Sequence, residues 1–153
     1  MFPYHDDKVI AYSVHMAASY AHWTGHRMTG AAHTPEQLAE MLYNAPFALV
    51  SHGIQPDPVF CYANLAAQHL WNISWERFTH LPSRMSAEPD AQAERQRLLD
   101  SCEEKGFVDD YHGVRVTSDG RRFNISNCVL WNVLDDTHGK IGQAASFSEW
   151  EWL

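Results

Sequence analysis

Cysteine is scarce and scattered in this chain. Cys61, Cys102 and Cys128 lie far apart and form no C-x-x-C pair, so neither a disulfide framework nor a thiolate zinc site is expected, and a reducing cytosol suits them. Basic residues are also few: 11 Lys and Arg stand against 19 Asp and Glu, a formal charge of -8. Such a balance repels a phosphate backbone unless the basic side chains cluster, so nucleic acid is not an expected partner. No uninterrupted apolar run approaches the roughly 18 residues of a membrane span. The opening MFPYHDDK is acidic and lacks the basic leader and apolar core of a signal peptide. No membrane partner and a cytoplasmic location are therefore expected. Repeats and low-complexity tracts are missing too. What is present is globular material, 153 residues with 45% hydrophobic and 12% aromatic side chains, enough to enclose one domain-sized core.

Local patterns divide the chain into elements. Val9, Tyr12, Met16, Tyr20 and Trp23 recur at helical spacing behind Asp6 and Asp7, which predicts an amphipathic leading helix with acidic residues at its positive end. The segment TGHRMTGAAH, with two glycines, is a connection, and residues 1–33 are set apart from a domain over 34–153. Thr34, Pro35 and Gln37 form a capping box for a second helix with Leu38, Met41, Leu42 and Ala45 on its apolar stripe. Pro46 closes it. FALVSHG and VFCYA flank turn chemistry at Gly53 to Pro58 and read as a hairpin. Asn64 caps LAAQHLW, and Ser74 caps WERFTH. AQAERQRLLDSCEEKG is the longest late helix, with Leu98, Leu99 and Cys102 as its apolar patch and a terminal glycine. FVDDYHGVRVTS and RRFNISNCVLWNVL join through Asp119-Gly120, a strong hairpin signal. IGQAASFSEWEW completes the strands.

This order predicts an α+β fold, a five-stranded antiparallel sheet with the central helices on one face. With asparagine opening the helix in YANLAAQHLW, it resembles the PAS fold of sensory domains. The segments APFALVSHG, DPVFCYANLAA, LPSRMSAEP, GFVDDYHGVRVTSDGRRF, LWNVLDD and GQAASF, spread over about residues 35 to 148, resemble the MEKHLA domain, a PAS-like family. That family's domain occurs alone in bacterial proteins and at the C-terminus of plant homeodomain-leucine-zipper transcription factors. The hexapeptide that names it is absent here, and no homeodomain or zipper accompanies it, so a standalone bacterial type is the better comparison. The resemblance implies a sensory or regulatory role. PAS-like domains bind haem, flavin, small metabolites or proteins. The GxNCRFLQ motif of flavin light sensors is missing and the long late helix has no histidine for haem, so the cofactor is unknown.

Candidate sites follow from the strands. Ser51 and His52 are adjacent, so on a strand they point to opposite faces and form no dyad. Asp57 sits in a proline-flanked turn, and no GxSxG elbow exists; no catalytic residue is assigned. His22 and His26 share helical spacing, but Gly25 interrupts that turn and no further ligand completes a metal set. Alternation places Phe123, Ile125, Val129, Trp131 and Val133 on one face of the fourth strand with Asn127 as its polar member, and Gln143 among Ile141, Ala145 and Phe147 on the fifth. Asn127 and Gln143 are ligand-binding candidates, together with Trp131, Tyr62 and Arg84; the competing assignment is that the two amides satisfy backbone groups in a filled core. Arg84 and Glu88 stand at a pocket mouth or in a structural ion pair. Phe147, Trp150 and Trp152 leave an aromatic end on the last strand, to be covered by the first helix, a second subunit, or both. A homodimer is expected. Three functions compete: a PAS-like domain binding a small molecule or protein partner without catalysis, an enzyme on a small hydrophobic substrate using His52, Asp57 or His112, and an interaction module with a filled core.

Overall fold

The computed structural model describes residues 2–31 and 34–153. Each expected helix is present, the long late one starting at Pro89 rather than Ala91 and without a side-chain cap. Asp6 accepts from the Lys8 amide at 2.8 Å at the start of α1, Asp7–Thr24, which Gly25 ends in the left-handed region at φ 76. Thr34 accepts from the Gln37 amide at 3.1 Å and opens α2, Pro35–Tyr43. Asn64 opens α3, Leu65–Trp71, and Ser74 opens α4, Trp75–Phe78. The long helix α5, Pro89–Lys105, stops at Gly106, φ 95. Short 3-10 turns occupy Pro3–His5 and Ser83–Ser86. Ala32 and His33, the last residues of the expected connection, lie outside the described residues.

The strands are β1 Ala48–His52, β2 Phe60–Ala63, β3 Phe107–Val116, β4 Arg122–Leu134, β5 Lys140–Phe147 and β6 Glu149–Trp152. They form one antiparallel sheet in the order β2-β1-β5-β4-β3. The sixth strand is the end of the expected fifth: Ser146 pairs with Val129 and Glu149 with Ser126 in an unchanged register, with a break at Ser148. Opposite the break, Asn127 takes φ 52.

That single left-handed residue reverses which face of β4 points where, and it corrects the alternation expected for this strand. Before it, Phe123 and Ile125 pack beneath α3 and α5; after it Cys128 and Leu130 take that side, while Trp131 and Val133 turn to the other. An uninterrupted period of two would have kept all five apolar side chains together. Asn127 itself is exposed. The expectation for β5 is corrected similarly: Ala145 and Phe147 belong to the α5 side, whereas Ile141 packs with Trp131 and Val133, across an irregularity in the β4–β5 ladder at Val133/Leu134.

Two apolar layers result. One lies between the sheet and α3 to α5, around Trp71, Phe78, Leu99 and Phe147. The other lies under α1, whose Met16 is fully buried against Leu49, Tyr62 and Trp131. Polar ties fix α1 in place: the Trp131 indole donates to the Met16 carbonyl at 3.1 Å, and the Trp23 indole to the Asn132 carbonyl at 2.9 Å. The sheet's second face is thus closed by the chain's own first helix, leaving Trp150, Trp152 and Leu153 as an exposed apolar end.

Candidate functional site

Between α3, α5 and the sheet the apolar layer is incompletely filled. A cavity of about 50 Å³ remains there, room for roughly four waters. Its walls are mainly apolar: Phe60 from β2, Trp71 from α3, Leu99 from α5, Ile125 and Leu130 from β4, and Phe147 from β5. Outside it an open cleft of about 460 Å³ runs along the β1–β2 loop and α5. His52, Arg95, Leu99 and Gln143 border both spaces, so these four side chains stand between solvent and the interior.

The polar groups at this boundary are unusual in their pairing. Arg95, on α5, is 7% exposed, and Arg115, on β3, is 8% exposed. Arg115 donates to the Val114 carbonyl at 2.7 Å and to the Tyr111 hydroxyl, and its guanidinium lies 5.3 Å from the Tyr111 ring centre. Neither arginine has a carboxylate within ion-pair distance among the described residues; the ion pairs of arginine and lysine belong to Arg84, Arg122 and Lys140. Burial lowers both guanidiniums to about 10; on Arg115 like-charge repulsion from Arg95 adds to this, while Cys128 and the Glu94 carboxylate, beyond ion-pair distance, act against it. Buried positive charge without a counter-ion is energetically costly, which makes two such groups on one cavity notable.

His52 is held neutral. Burial lowers its pKa to about 4, against a raising backbone bond, and the positive charges of Arg95 and Lys140 lower it further. Its Nδ1 lies 3.0 Å from the Gly53 carbonyl, so Nδ1 carries the proton and Nε2 presents a lone pair. That Nε2 is buried and has no partner among the described residues, and the Trp71 indole N–H is in the same condition. The cavity wall therefore offers one unused acceptor and one unused donor beside the two cations. The Ser51 hydroxyl is committed elsewhere: it donates to the Gln143 carbonyl at 2.7 Å and accepts from Tyr12 of α1 at 2.6 Å. It makes no bond to His52.

The five candidates from the sequence do not converge. Gln143 borders the cavity, but its amide nitrogen is divided between the Leu99 carbonyl and the Asn132 side chain, both at 3.1 Å. Asn132 in turn donates to the carbonyls of Cys102 and Glu103. Together the two amides hang the C-terminal half of α5 from β4 and β5. Trp131 and Tyr62 lie on the α1 side of the sheet, the Tyr62 hydroxyl buried without a partner among the described residues. Arg84 is at the cleft, 3.2 Å from the Asp57 carboxylate; Glu88 pairs with Arg122 instead, at 3.6 Å, so the two do not pair with each other. Asn127 donates to the Glu149 carboxylate at the surface, beside a shallow groove that also includes Tyr20 and Met28. His52 and Asp57 border the same cleft, but Asp57 is engaged by Arg84, and His112 is exposed on β3.

Arg95, Arg115 and Trp71 were not singled out by the sequence. A signal for two of them exists. Arg95 stands four residues before Leu99 and seven before Cys102, on the apolar stripe of α5. Arg115 alternates with Tyr111 and Thr117, the buried positions of its segment.

The α+β architecture, an antiparallel sheet with helices packed on it, is that of the fold expected from the sequence, and comparison with other proteins agrees. The sequence profile of the MEKHLA domain matches residues 10–152. The chain belongs to the MEKHLA domain family. No curated protein matches it. Solved structures share the fold: a PAS domain from Colwellia psychrerythraea, at 15% identity and TM-score 0.64, covers 77% of this chain and 95% of its own. An RNA-binding light-oxygen-voltage receptor matches at 18% identity and TM-score 0.67, over 80% of this chain but 36% of the receptor. A light-oxygen-voltage domain matches at 14% identity and TM-score 0.60, over 76% and 84%. This MEKHLA domain is thus PAS-like in architecture. Among its described residues no helix is long and apolar enough to cross a membrane.

Proposed function

We propose that this MEKHLA domain is a sensory or regulatory module that takes a small molecule into the cavity beneath α5 and passes on its occupancy to a protein partner or a second copy of the chain. The observation carrying the reading is the set of buried polar atoms without a partner among the described residues, His52 Nε2 and Trp71 Nε1, belonging to residues that line a mainly apolar cavity. Buried polar groups are ordinarily satisfied, and a wall with few polar groups among apolar ones is the usual composition of a ligand site. Occupancy has a route outward through α5. Leu99 meets the cavity with its side chain and accepts from Gln143 with its carbonyl, so a ligand that displaces Leu99 also loads the amide chain that ties α5 to the sheet. A ligand with different affinity for two positions of α5 then biases them.

The test is extraction and mass spectrometry of the protein purified from its host, together with a thermal-shift panel of metabolites. A retained small molecule, or a panel member that raises Tm in proportion to log concentration, supports the reading. An empty protein that no panel member stabilises refutes it. The homodimer belongs to the same proposal, with the exposed Trp150, Trp152 and Leu153 as its support; a monomeric mass by light scattering at working concentration removes it.

A further inference from the structure

We propose that the cavity of this domain selects a small organic acid, bound as a carboxylate between Arg95 and Arg115, with an apolar body and one hydrogen-bond-donating group. The proposal rests on the ligand-binding reading above and names the chemistry of its ligand.

Three observations converge on it. The two guanidiniums come from different elements, α5 and β3, yet line one cavity, and both are more than nine-tenths buried. No ion pair neutralises either among the described residues, where the arginine and lysine pairs are those of Arg84, Arg122 and Lys140, and the Arg95 side chain makes no hydrogen bond there. A single anion placed against both would remove two costs at once, the uncompensated burial of each charge and their mutual repulsion. The guanidinium fork matches a carboxylate with two parallel bonds. Next, the remaining free groups are complementary to a hydroxy acid: the His52 Nε2 lone pair requires a donor, and the Trp71 N–H requires an acceptor. A hydroxyl group supplies both. Finally, the rest of the wall is mainly apolar, with Leu99, Ile125 and Phe147, and the space is small, which fits a short hydrocarbon body and disfavours a heavily hydrated inorganic anion.

Arg95 also borders the outer cleft, so it is placed to meet the acid first and to accompany it inward. The other charges of the cleft are balanced, Arg84 pairing with Asp57 and Lys140 with Glu103 at 3.1 Å beside Asp100, so the attraction for an acid comes from Arg95 and Arg115 rather than from the approach.

The test compares 2-hydroxybutyrate, butyrate, butyramide and inorganic phosphate by calorimetric titration and thermal shift on the full chain. The expected order of affinity is 2-hydroxybutyrate, then butyrate, with butyramide and phosphate weakest. The neutral amide should lose about tenfold or more, the scale of a hydrogen bond to a charged group. This comparison requires no variant and survives any folding defect. Arg95→Met then separates a binding role from a structural one. Replacing an uncompensated buried cation by an apolar side chain of similar volume should leave the empty protein as stable or more so, while abolishing the preference for carboxylate over amide. Equal binding of butyrate and butyramide overturns the proposal, as does a phosphate response equal to that of butyrate, or a carboxylate preference that Arg95→Met leaves intact. If a neutral metabolite binds while no carboxylate does, the proposal fails and the ligand-binding reading stands. If nothing binds at all, both fall.

Discussion

Replacing Asn64 offers a severe test of how this fold is held together, because its amide bonds in four directions while fully buried. Oδ1 accepts from the Ala67 amide at 3.1 Å, the ordinary helix cap, and also from the Leu49 amide of β1 at 3.0 Å. Nδ2 donates to the carbonyls of Leu42, at 3.0 Å, and Phe47, at 2.8 Å. One side chain thus joins the end of α2, the start of β1 and the start of α3. Asn64→Ala removes a cap worth about 1 kcal/mol and leaves the Leu49 amide and the Phe47 carbonyl without this partner, at about 1–3 kcal/mol each. The expected loss is about 3–7 kcal/mol, a large share of the roughly 5–15 kcal/mol that stabilises an ordinary domain. In thermal unfolding this is on the order of 10 °C or more. The decisive variant is Asn64→Asp. As caps, Asp and Asn are nearly equal, so a residue that only capped α3 would tolerate the change. Here the new carboxylate oxygen faces two buried carbonyls, and Asn64→Asp should be at least as damaging as Asn64→Ala. Urea unfolding followed by circular dichroism measures all three proteins. Stability of Asn64→Asp within about 0.5 kcal/mol of the original would refute the account of Asn64 as a three-way tie.

Other expectations follow from the same geometry. His52 has a folded pKa of about 4 against an ordinary 6.5, so the folded state favours the neutral ring. Its contribution is complete above pH 6.5 and is lost as pH falls toward 4, by about 3 kcal/mol in all. Urea titrations at stepped pH should show that slope, and His52→Gln should flatten it; an identical slope in the variant would contradict the assignment. Asp119 and Asp135 are lowered from the ordinary carboxylate value, first by the Thr117 and Thr137 hydroxyls respectively. Their contributions persist above 3.8 and fade only at lower pH, outside the His52 window. At Gly142 a Cβ would stand 2.5 Å from the His52 carbonyl oxygen and against the Tyr12 hydroxyl, where backbone on one side cannot yield. Gly142→Ala should cost about 1–3 kcal/mol in urea unfolding, and an unaffected midpoint would show that β1 and β5 can part. A chain beginning at Thr34 would expose Leu49, Trp131 and Val133, which α1 now covers; light scattering should show self-association, and a stable monomer would make residues 1–33 dispensable.

Sequence alone determined the elements whose signals are local. A cap three residues from the amide it satisfies, an Asp-Gly turn between two strands, and a stripe at helical spacing all act over a few residues, so α1 to α5 and the β1–β2 and β3–β4 hairpins were legible in it. The resemblance of six segments to the MEKHLA domain carried the family, and with it the PAS-like fold class. The roles of particular side chains were decided by tertiary structure. Reading β4 as an unbroken alternation put Asn127 inside with Trp131, and one left-handed residue opposite Ser148 was enough to reverse the pattern, because a period of two has no tolerance for an extra position. Ion pairing is likewise invisible along the chain. Nothing near Arg95 and Arg115 in sequence says that α5 and β3 bring both to one cavity with no carboxylate in ion-pair distance among the described residues. Burial depends on the arrangement of distant elements, and the candidate site, unlike the fold, consists almost wholly of such arrangements.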